Sequence, residues 1–354
     1  MNYSELQISF DWLQLYLKGC YTKSEKYTYK KLDFGTRIFQ IVEEIYKDKI
    51  FIGTICYSPL SKILRPDCHI IKFDNKLLYL DYLFDFIDEF LHDHSFEVHG
   101  ITRLDLAIDF NTFQNNLHPA NLILKFLTNE YLRVNKGKYK LIGEQFFEQT
   151  FQYLRFGTNT SEVSAYLYNK SIEMKQKKFK QYIFNKWQAQ GLDTDMNVWR
   201  LEFSLKTNSI RVDDKNTGEI WVYSYLNLRG KSFLKALFST LLYNYFRFVI
   251  NDGCKKKARM KNVELISNVT YDFDLTHITL HEDNGRMDKI FLRMIENFNC
   301  EMRENKQWLS DELSEEIVKF AQKKRLDHYY YDRVCKEKKN NANHTETPDG
   351  DTFL

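Results

Sequence analysis

Proline and cysteine are scarce in this chain of 354 residues, and neither is arranged as in a specialised structure. The four prolines leave room for few rigid linkers. The cysteines include no Cys-x-x-Cys pair, and no histidine stands at zinc-finger spacing from them. The six residues are Cys20, Cys56, Cys68, Cys254, Cys300 and Cys335. We therefore expect reduced thiols in a cytoplasmic protein.

The sequence also lacks a clear membrane span and an export signal. Residues 231–250 form the most apolar stretch, but they include Lys231, Lys235 and Arg247, which a bilayer helix rarely accepts. This pattern predicts a buried core helix instead. Residues 1–5 show no basic segment followed by an apolar run, so we expect no secretory signal and no membrane partner.

A strong overall charge is absent as well. The net charge of +3 is too small to indicate a nucleic-acid partner, so any such argument depends on local clusters. No glycine-rich phosphate loop and no Ser-His-Asp pattern is recognisable. The chain is rich in phenylalanine and tyrosine, which indicates core packing more often than stacking on bases.

Two segments place charges where buried strands usually carry apolar residues. Residues 103–109 read Arg-Leu-Asp-Leu-Ala-Ile-Asp, and residues 199–206 read Trp-Arg-Leu-Glu-Phe-Ser-Leu-Lys. Both alternate as β-strands do, with charged side chains on one face and apolar side chains on the other. The sequence therefore predicts a sheet with one charged face, and that face is a candidate site.

The order of predicted elements around these strands occurs twice. In residues 66–110 and again in 152–206, a strand is followed by an amphipathic helix and then by a charged strand, with the second helix at 171–190 beginning at Ser171. An internal duplication would make Asp74 the counterpart of Tyr168; a chance match of short motifs is the alternative. The predicted fold class is α+β: duplicated β-α-β units form a central, mainly antiparallel sheet with helices on one face, followed by a C-terminal helical region.

Domain boundaries follow from these patterns. We expect one domain over residues 1–210 and a mainly helical region over 211–335, with helices near 231–250, 286–298 and 311–324. Residues 336–354 have no apolar face, so burial cannot offset the entropy of folding, and a disordered tail is predicted.

The acidic residues of the two charged strands are candidate metal ligands. Asp105 and Asp109 would lie roughly 13 Å apart on one strand, too far to share an ion. Asp105 and Glu202 would lie on neighbouring strands about 4.8 Å apart, and carboxylates suit Mg²⁺ or Mn²⁺. The alternative is that Arg103 and Arg200 neutralise these acids in half-buried salt bridges.

Tyr168 is a candidate nucleophile. It shares a strand face with Tyr166 and Lys170, and a phenol attacks well only when a cation or a base helps it lose its proton. The following helix carries Lys175, Lys177, Lys178 and Lys180, which would meet a phosphate backbone. Packing of the tyrosine and a solvated lysine face are the alternatives.

A second basic cluster follows the apolar stretch. Residues 255–261 contain no acid and five bases: Lys255, Lys256, Lys257, Arg259 and Lys261. These bases suit binding to DNA phosphates. The alternative, to which we give equal weight, is an exposed loop without a partner.

In three ordered blocks the chain resembles the Rep_trans type of rolling-circle plasmid replication initiators, which are related to conjugative-element relaxases. Residues 101–110 resemble the family's Arg-x-Asp-x-Ala-x-Asp strand, and residues 199–206 its Arg-x-Glu strand. Between them, Phe156-Gly157 and then Tyr168-Asn169-Lys170 with a basic helix resemble its nucleophile block. Weaker similarity lies at residues 9–13 and 258–262. The chain departs from the pattern at Asn159, where a basic residue is expected.

The resemblance implies a nicking domain in residues 1–210 and a DNA-binding region after it. Tyr168 would attack a phosphodiester of single-stranded or melted origin DNA, forming a 5′-phosphotyrosyl link and a free 3′-OH, with Lys170 assisting. Asp105 and Glu202 would hold Mg²⁺ or Mn²⁺. The expected DNA contacts are Arg103, Arg200, Lys175, Lys177, Lys178, Lys255, Lys256, Lys257 and Arg259. A host helicase and a second copy of the chain are candidate partners.

Other functions share parts of this pattern. A relaxase of a mobile element or phage would use the same chemistry, and Tyr166 is close enough to be a rival nucleophile. A catalytically inactive DNA-binding protein would form no covalent adduct. A single-stranded RNA binder using sheet aromatics would not need a metal.

Overall fold

A computed structural model of the chain describes residues 5–60, 67–134, 139–143, 151–158, 161–206, 211–214, 219–221, 224–267 and 278–281. The helices expected at 286–298 and 311–324, the tail from 336, and Asn159 lie outside the described residues. The strands are β1 (Ser9–Lys18), β2 (Thr28–Lys31), β3 (Phe39–Lys47), β4 (Ile50–Pro59), β5 (Cys68–Phe73), β6 (Glu97–Phe110), β7 (Tyr131–Arg133), β8 (Tyr139–Gly143), β9 (Phe151–Phe156), β10 (Val163–Asn169), β11 (Trp199–Lys206), β12 (Arg211–Asp214), β13 (Glu219–Trp221), β14 (Phe248–Ile250) and β15 (Ile278–His281). The α-helices are α1 (Leu83–Asp93), α2 (Pro119–Leu127), α3 (Lys170–Gln176), α4 (Gln181–Ala189) and α5 (Lys231–Tyr245).

Ten strands form one large sheet in the order β2-β3-β4-β5-β1-β6-β11-β10-β9-β8. The pairs β6–β11, β11–β10, β10–β9 and β9–β8 are antiparallel, as are β2–β3 and β3–β4. Two smaller sheets, β13-β12-β15 and β14-β7, complete the described strands. The prediction of an α+β fold around a mainly antiparallel sheet is confirmed.

The two charged strands are direct neighbours, as predicted. β6 pairs with β11, and the apolar side chains of both strands share one buried face. That face packs against α5, where the ring of Phe238 meets the ring of Phe203 edge-on at 5.1 Å. Each such buried ring stabilises the fold by about 1.5–3 kcal/mol relative to its exposed state.

The predicted core helix at 231–250 is shorter than expected. α5 ends at Tyr245 because Phe246 leaves the helical conformation, and residues 248–250 form β14 instead. The helix is buried on most of its faces, as expected. Among the described residues, no helix is long and apolar enough to cross a membrane.

The helix predicted over 171–190 is two helices, α3 and α4, separated by residues 177–180. The cap predicted at Ser171 is wrong: Asn169 caps α3 by accepting a hydrogen bond from the Ile172 amide at 3.0 Å. Phe179 lies in the break and is exposed. Met174 of α3 and Ile183 and Trp187 of α4 pack in one hydrophobic cluster with Val198, which precedes β11.

The two predicted repeats occupy different positions in the sheet order. β10 lies directly beside β11, whereas β1 lies between β5 and β6. β11 has β10 as its other neighbour, and β6 has β1, from the start of the chain, as its other neighbour. In the sheet, β1 therefore corresponds to β10. By this order Asp74, which follows β5, is not the counterpart of Tyr168.

The chain divides into two compact units. Among the described residues, the first comprises those within 5–14, 73–87 and 100–281, and the second those within 15–72 and 88–99. The first unit includes α5 and β12–β15, so these elements do not form a unit separate from residues 100–206. Within the second unit, His94 is fully buried, and one of its ring nitrogens lies 2.6 Å from the Tyr29 hydroxyl.

The contact between α5 and the apolar face predicts a large cost for truncating Phe238. Phe238→Ala should lower the free energy of unfolding by about 3–5 kcal/mol, because the cavity lies in a closed core. Urea unfolding followed by circular dichroism would measure this loss. Tyr243→Ala is the matched control on the same helix: its ring is mostly exposed, and about 1 kcal/mol or less should be lost. Equal losses in both variants would contradict this packing.

Candidate active site

The polar face of the first unit's strands carries the predicted site residues in an ordered array. The antiparallel register aligns one residue each from β6, β11 and β10 in rows across the sheet. The rows are Asp109–Arg200–Tyr168, Ala107–Glu202–Tyr166 and Asp105–Ser204–Ser164. Because directly paired residues project to the same face, these side chains are neighbours.

Asp105 and Glu202 are neighbours on this face, but they are diagonal rather than opposite. Asp105 pairs with Ser204, and Glu202 pairs with Ala107. Diagonal positions on adjacent strands are about 7–8 Å apart at the backbone, within the combined reach of an aspartate and a glutamate. Both carboxyl groups are buried.

The Tyr168 hydroxyl lies between a carboxylate and an ammonium group. It donates a hydrogen bond to Oε2 of Glu202 at 2.8 Å, and Nζ of Lys170 donates to the phenolic oxygen at 3.4 Å. Nζ of Lys170 also contacts Glu173 at 2.6 Å. Burial, and then the charge of Glu202, raise the pKa of Tyr168 well above its ordinary value. The phenol is therefore protonated, and its hydrogen bond is directed at the carboxyl group of Glu202.

Glu202 is the carboxyl group whose charge is least compensated. Burial, followed by the nearby charges of Asp11 and Asp105, raises the pKa of Glu202 to about 8. Burial also raises the pKa of Asp105, although Arg103 opposes the shift with contacts of 3.1 and 2.6 Å. A shortage of positive charge around buried carboxylates is a condition that a bound cation relieves.

Arg200 was expected to contact DNA, and its position contradicts that expectation. The side chain is fully buried. Its guanidinium binds both oxygens of Asp109 at 2.7 and 2.8 Å, contacts Asp11, and donates to the Tyr79 hydroxyl at 2.8 Å. Arg200 therefore ties β11 to β6 and β1 rather than facing a ligand.

Asp11 is a site residue that the sequence patterns missed. Burial alone would raise its pKa, but Arg200, Lys170 and Lys180 lower it to about 2, so Asp11 is ionised. The available signal was one acid within residues 9–13, Ser-Phe-Asp-Trp-Leu, which showed only weak family similarity. Asn75 also belongs here, because its amide donates to the Asp11 backbone carbonyl at 2.7 Å.

The remaining predicted DNA contacts differ in how accessible they are. Arg103 is partly exposed beside Asp105, with its guanidinium 3.9 Å from the centre of the Trp12 ring. The exposed basic residues are Lys175, Lys177, Lys178, Lys255, Lys256 and Arg259. Lys257 is half-buried and donates to the backbone carbonyl of Arg133 at 2.6 Å, so its ammonium already has a structural partner.

No model of a known protein family matches the sequence, and no curated protein matches it. Among solved structures, the fold is similar to that of a rolling-circle replication initiator protein from Geobacillus stearothermophilus. The two chains are 17% identical, with a TM-score of 0.44 over 73% of this chain and 93% of the other. At that score the similarity is too low to indicate function, which must be inferred from the site itself.

The buried position of Arg200 predicts a structural penalty for its removal. Arg200→Met should cost about 3–5 kcal/mol of unfolding free energy, because Asp109 and Asp11 lose their cation. Chemical unfolding would measure the change. Lys177→Met, which removes a cation from an exposed pair with Glu173, should cost less than about 0.5 kcal/mol. Unchanged stability in Arg200→Met with lost DNA affinity would instead restore Arg200 as a DNA contact.

Proposed function

We propose that the chain is a DNA strand transferase that initiates rolling-circle replication, with Tyr168 as its nucleophile. The observation that carries this proposal is the Tyr168 hydroxyl held between Glu202 and Lys170 at 2.8 and 3.4 Å. A base that takes the proton and a cation that stabilises the phenolate are what a tyrosine nucleophile requires. The resemblance to Rep_trans initiators assigns the same tyrosine this role independently of the geometry.

The proposed reaction is a transesterification at a DNA phosphodiester. The phenolic oxygen of Tyr168 bonds to phosphorus, the bond from phosphorus to the 3′ oxygen breaks, and the phenolic proton passes to Glu202. The products are a 5′-phosphotyrosyl link and a 3′ oxygen, which takes up a proton to become a 3′-OH that can prime synthesis. The raised pKa of Glu202, about 8, makes its ionised carboxylate a stronger base toward a phenol than an ordinary glutamate is. Attack by a 3′-OH in the reverse direction rejoins the strand.

Tyr166 is less well placed than Tyr168 for this role. Its ring lies 5.0 Å from the guanidinium of Arg155, beside the ring of Tyr153. The hydroxyl bonded to Glu202 and Lys170 is that of Tyr168. The contacts therefore favour Tyr168, and the choice is testable by exchange of each tyrosine for phenylalanine.

We propose that Asp105 and Glu202 hold Mg²⁺ or Mn²⁺. Among the described residues, no three histidine, cysteine, aspartate or glutamate side chains converge into a metal cage. Two carboxylates nevertheless fit Mg²⁺, which usually keeps several waters and binds substrate phosphate. A bound ion would supply positive charge to the phosphoryl oxygen.

The DNA strand is proposed to approach across basic residues near the site. Lys175, Lys177 and Lys178 lie at the end of α3, whose first residue is Lys170. Arg103 lies at the opposite end of the polar face. Lys255, Lys256 and Arg259 form a separate exposed group after β14. A host helicase and a second copy of the chain stay candidate partners, and a relaxase would use the same site chemistry.

Covalent adduct formation tests the proposal. The full chain would be incubated with Mn²⁺ and single-stranded oligonucleotides that are labelled at their 3′ ends and tile the DNA flanking its own gene. A labelled protein band on a denaturing gel is expected for wild type and for Tyr166→Phe, and none for Tyr168→Phe. An adduct that persists in Tyr168→Phe excludes this nucleophile. DNA binding without any wild-type adduct would favour the catalytically inactive DNA-binding protein.

Manganese binding tests the metal ligands without relying on activity. Wild type should bind Mn²⁺ in electron paramagnetic resonance titrations, and Asp105→Asn or Glu202→Gln should weaken binding at least about tenfold. Asp81→Asn is the matched control, because Asp81 is an exposed acid of the same unit. Equal Mn²⁺ affinity in wild type and both site variants would disprove this ligand pair.

A further inference from the structure

Lys180 is a half-buried cation at the proposed site that the reaction above does not use. It occupies the N-cap position of α4 and is the last residue of the break that separates α4 from α3. Its Nζ donates to the neutral amide oxygen of Asn75 at 3.1 Å. Its hydrogen-bond partner is thus neutral, and the acids that offset its charge, Asp11 and Glu173, act on it through space.

Asn75 fixes the position of this ammonium. Its side-chain oxygen accepts from Lys180 and also from the Tyr182 hydroxyl at 2.6 Å. Its side-chain nitrogen donates to the backbone carbonyl of Asp11 at 2.7 Å. Lys180, Tyr182 and Asp11 thus fix the orientation of the amide, and Asn75 joins α4 to β1 beside the buried Arg200.

The proposed reaction needs a proton donor for the leaving oxygen, and neither Glu202 nor Lys170 fills that role. When the bond from phosphorus to the 3′ oxygen breaks, the leaving alkoxide needs a proton. In an in-line displacement the attacking and leaving oxygens lie on opposite sides of phosphorus. Lys170 contacts the attacking oxygen of Tyr168, so it lies on the wrong side to serve the leaving oxygen.

We propose that Lys180 is the general acid that protonates the 3′ oxygen, with Asn75 as its positioning residue. This inference rests on the proposed function. In the forward step the bond from phosphorus to the 3′ oxygen breaks, the ammonium of Lys180 gives a proton to that oxygen, and a neutral amine is left. In strand rejoining the amine takes the proton back from the attacking 3′-OH.

The charges around Lys180 support this role. The groups that act on it are Lys170 and Glu173 of α3, Asp11 of β1 and Arg200 of β11. Burial, followed by repulsion from Lys170, lowers the pKa of Lys180, although Asp11 and Glu173 oppose the shift. A lysine with a lowered pKa loses its proton more readily near neutral pH, as a general acid must.

The break between α3 and α4 makes this geometry available. In one continuous helix over 171–190, Lys180 and Tyr182 would project about 200° apart, because successive residues turn by about 100°. In the structure both side chains reach the same Asn75 oxygen. The lysine run that the sequence suggested as a phosphate-binding face therefore contains one member, Lys180, with a different placement.

Substrates with a modified leaving group distinguish an acid from a phosphate contact. Single-turnover adduct formation would be measured in Mn²⁺ with the oligonucleotide that reacts with wild type, and with its analogue carrying sulfur in place of the bridging 3′ oxygen. A thiolate leaves without protonation. Lys180→Ala should lower the rate of adduct formation with the normal substrate by about 10²–10⁴-fold. It should cleave the sulfur analogue at close to the wild-type rate.

Three further variants complete the test. Lys180→Arg keeps the charge but cannot give up a proton near neutral pH, so it should be as slow as Lys180→Ala on the normal substrate. Asn75→Ala should show a smaller loss with the same rescue by sulfur. Lys76→Ala removes an exposed charge beside Asn75 and should react like wild type.

Each outcome has a defined meaning. Equal slowing of both substrates in Lys180→Ala would overturn the acid role and indicate phosphate binding or a structural role. Wild-type rates in Lys180→Ala would overturn any role in the reaction while leaving Tyr168 as the nucleophile. Failure of wild type to form an adduct with either substrate would overturn the proposed function itself, and this inference with it.

Discussion

The buried contact of Arg200 with Asp109 and Asp11 is the constraint on which the polar face depends. A side-chain period of two means that a one-residue slip of β11 would turn Arg200 into the apolar core and leave both acids without their cation. The register that avoids this error is the one observed, with Arg200 opposite Asp109 and Tyr168. The ion pairs need not add net stability, since their desolvation is costly, but they select one alignment of three strands.

The same alignment sets the electrostatics of the reacting groups. Asp11 and Asp109 take the charge of Arg200, and Asp105 takes that of Arg103, so Glu202 is left with Tyr168 as its hydrogen-bond donor. Its high pKa follows from this distribution of partners rather than from burial alone. The arginines that flank the acids in sequence thus play different roles: one secures the sheet, and the other borders the site.

Sequence alternation predicted the charged strands and their apolar face, because these follow from a period of two and from burial. Their adjacency was expected from the inferred duplication instead. It did not predict which residues are directly opposite, since register depends on contacts between distant strands. The pairing of Arg200 with Asp11 joins residues 189 positions apart, which no local pattern reveals. The break after α3 was missed because residues 171–190 have a helical apolar period. Contacts of Lys180 and Tyr182 with Asn75 override it.

The location of Tyr168 within a strand has a consequence for how a substrate must fit. β10 is hydrogen-bonded on both sides, to β9 and to β11, so the main chain of the tyrosine cannot travel as a loop residue can. Its reach is limited to rotation about two side-chain bonds. The substrate must therefore change its own conformation to reach the hydroxyl. A flexible single strand can bend its backbone to meet a fixed hydroxyl, whereas a stiff duplex would first have to open.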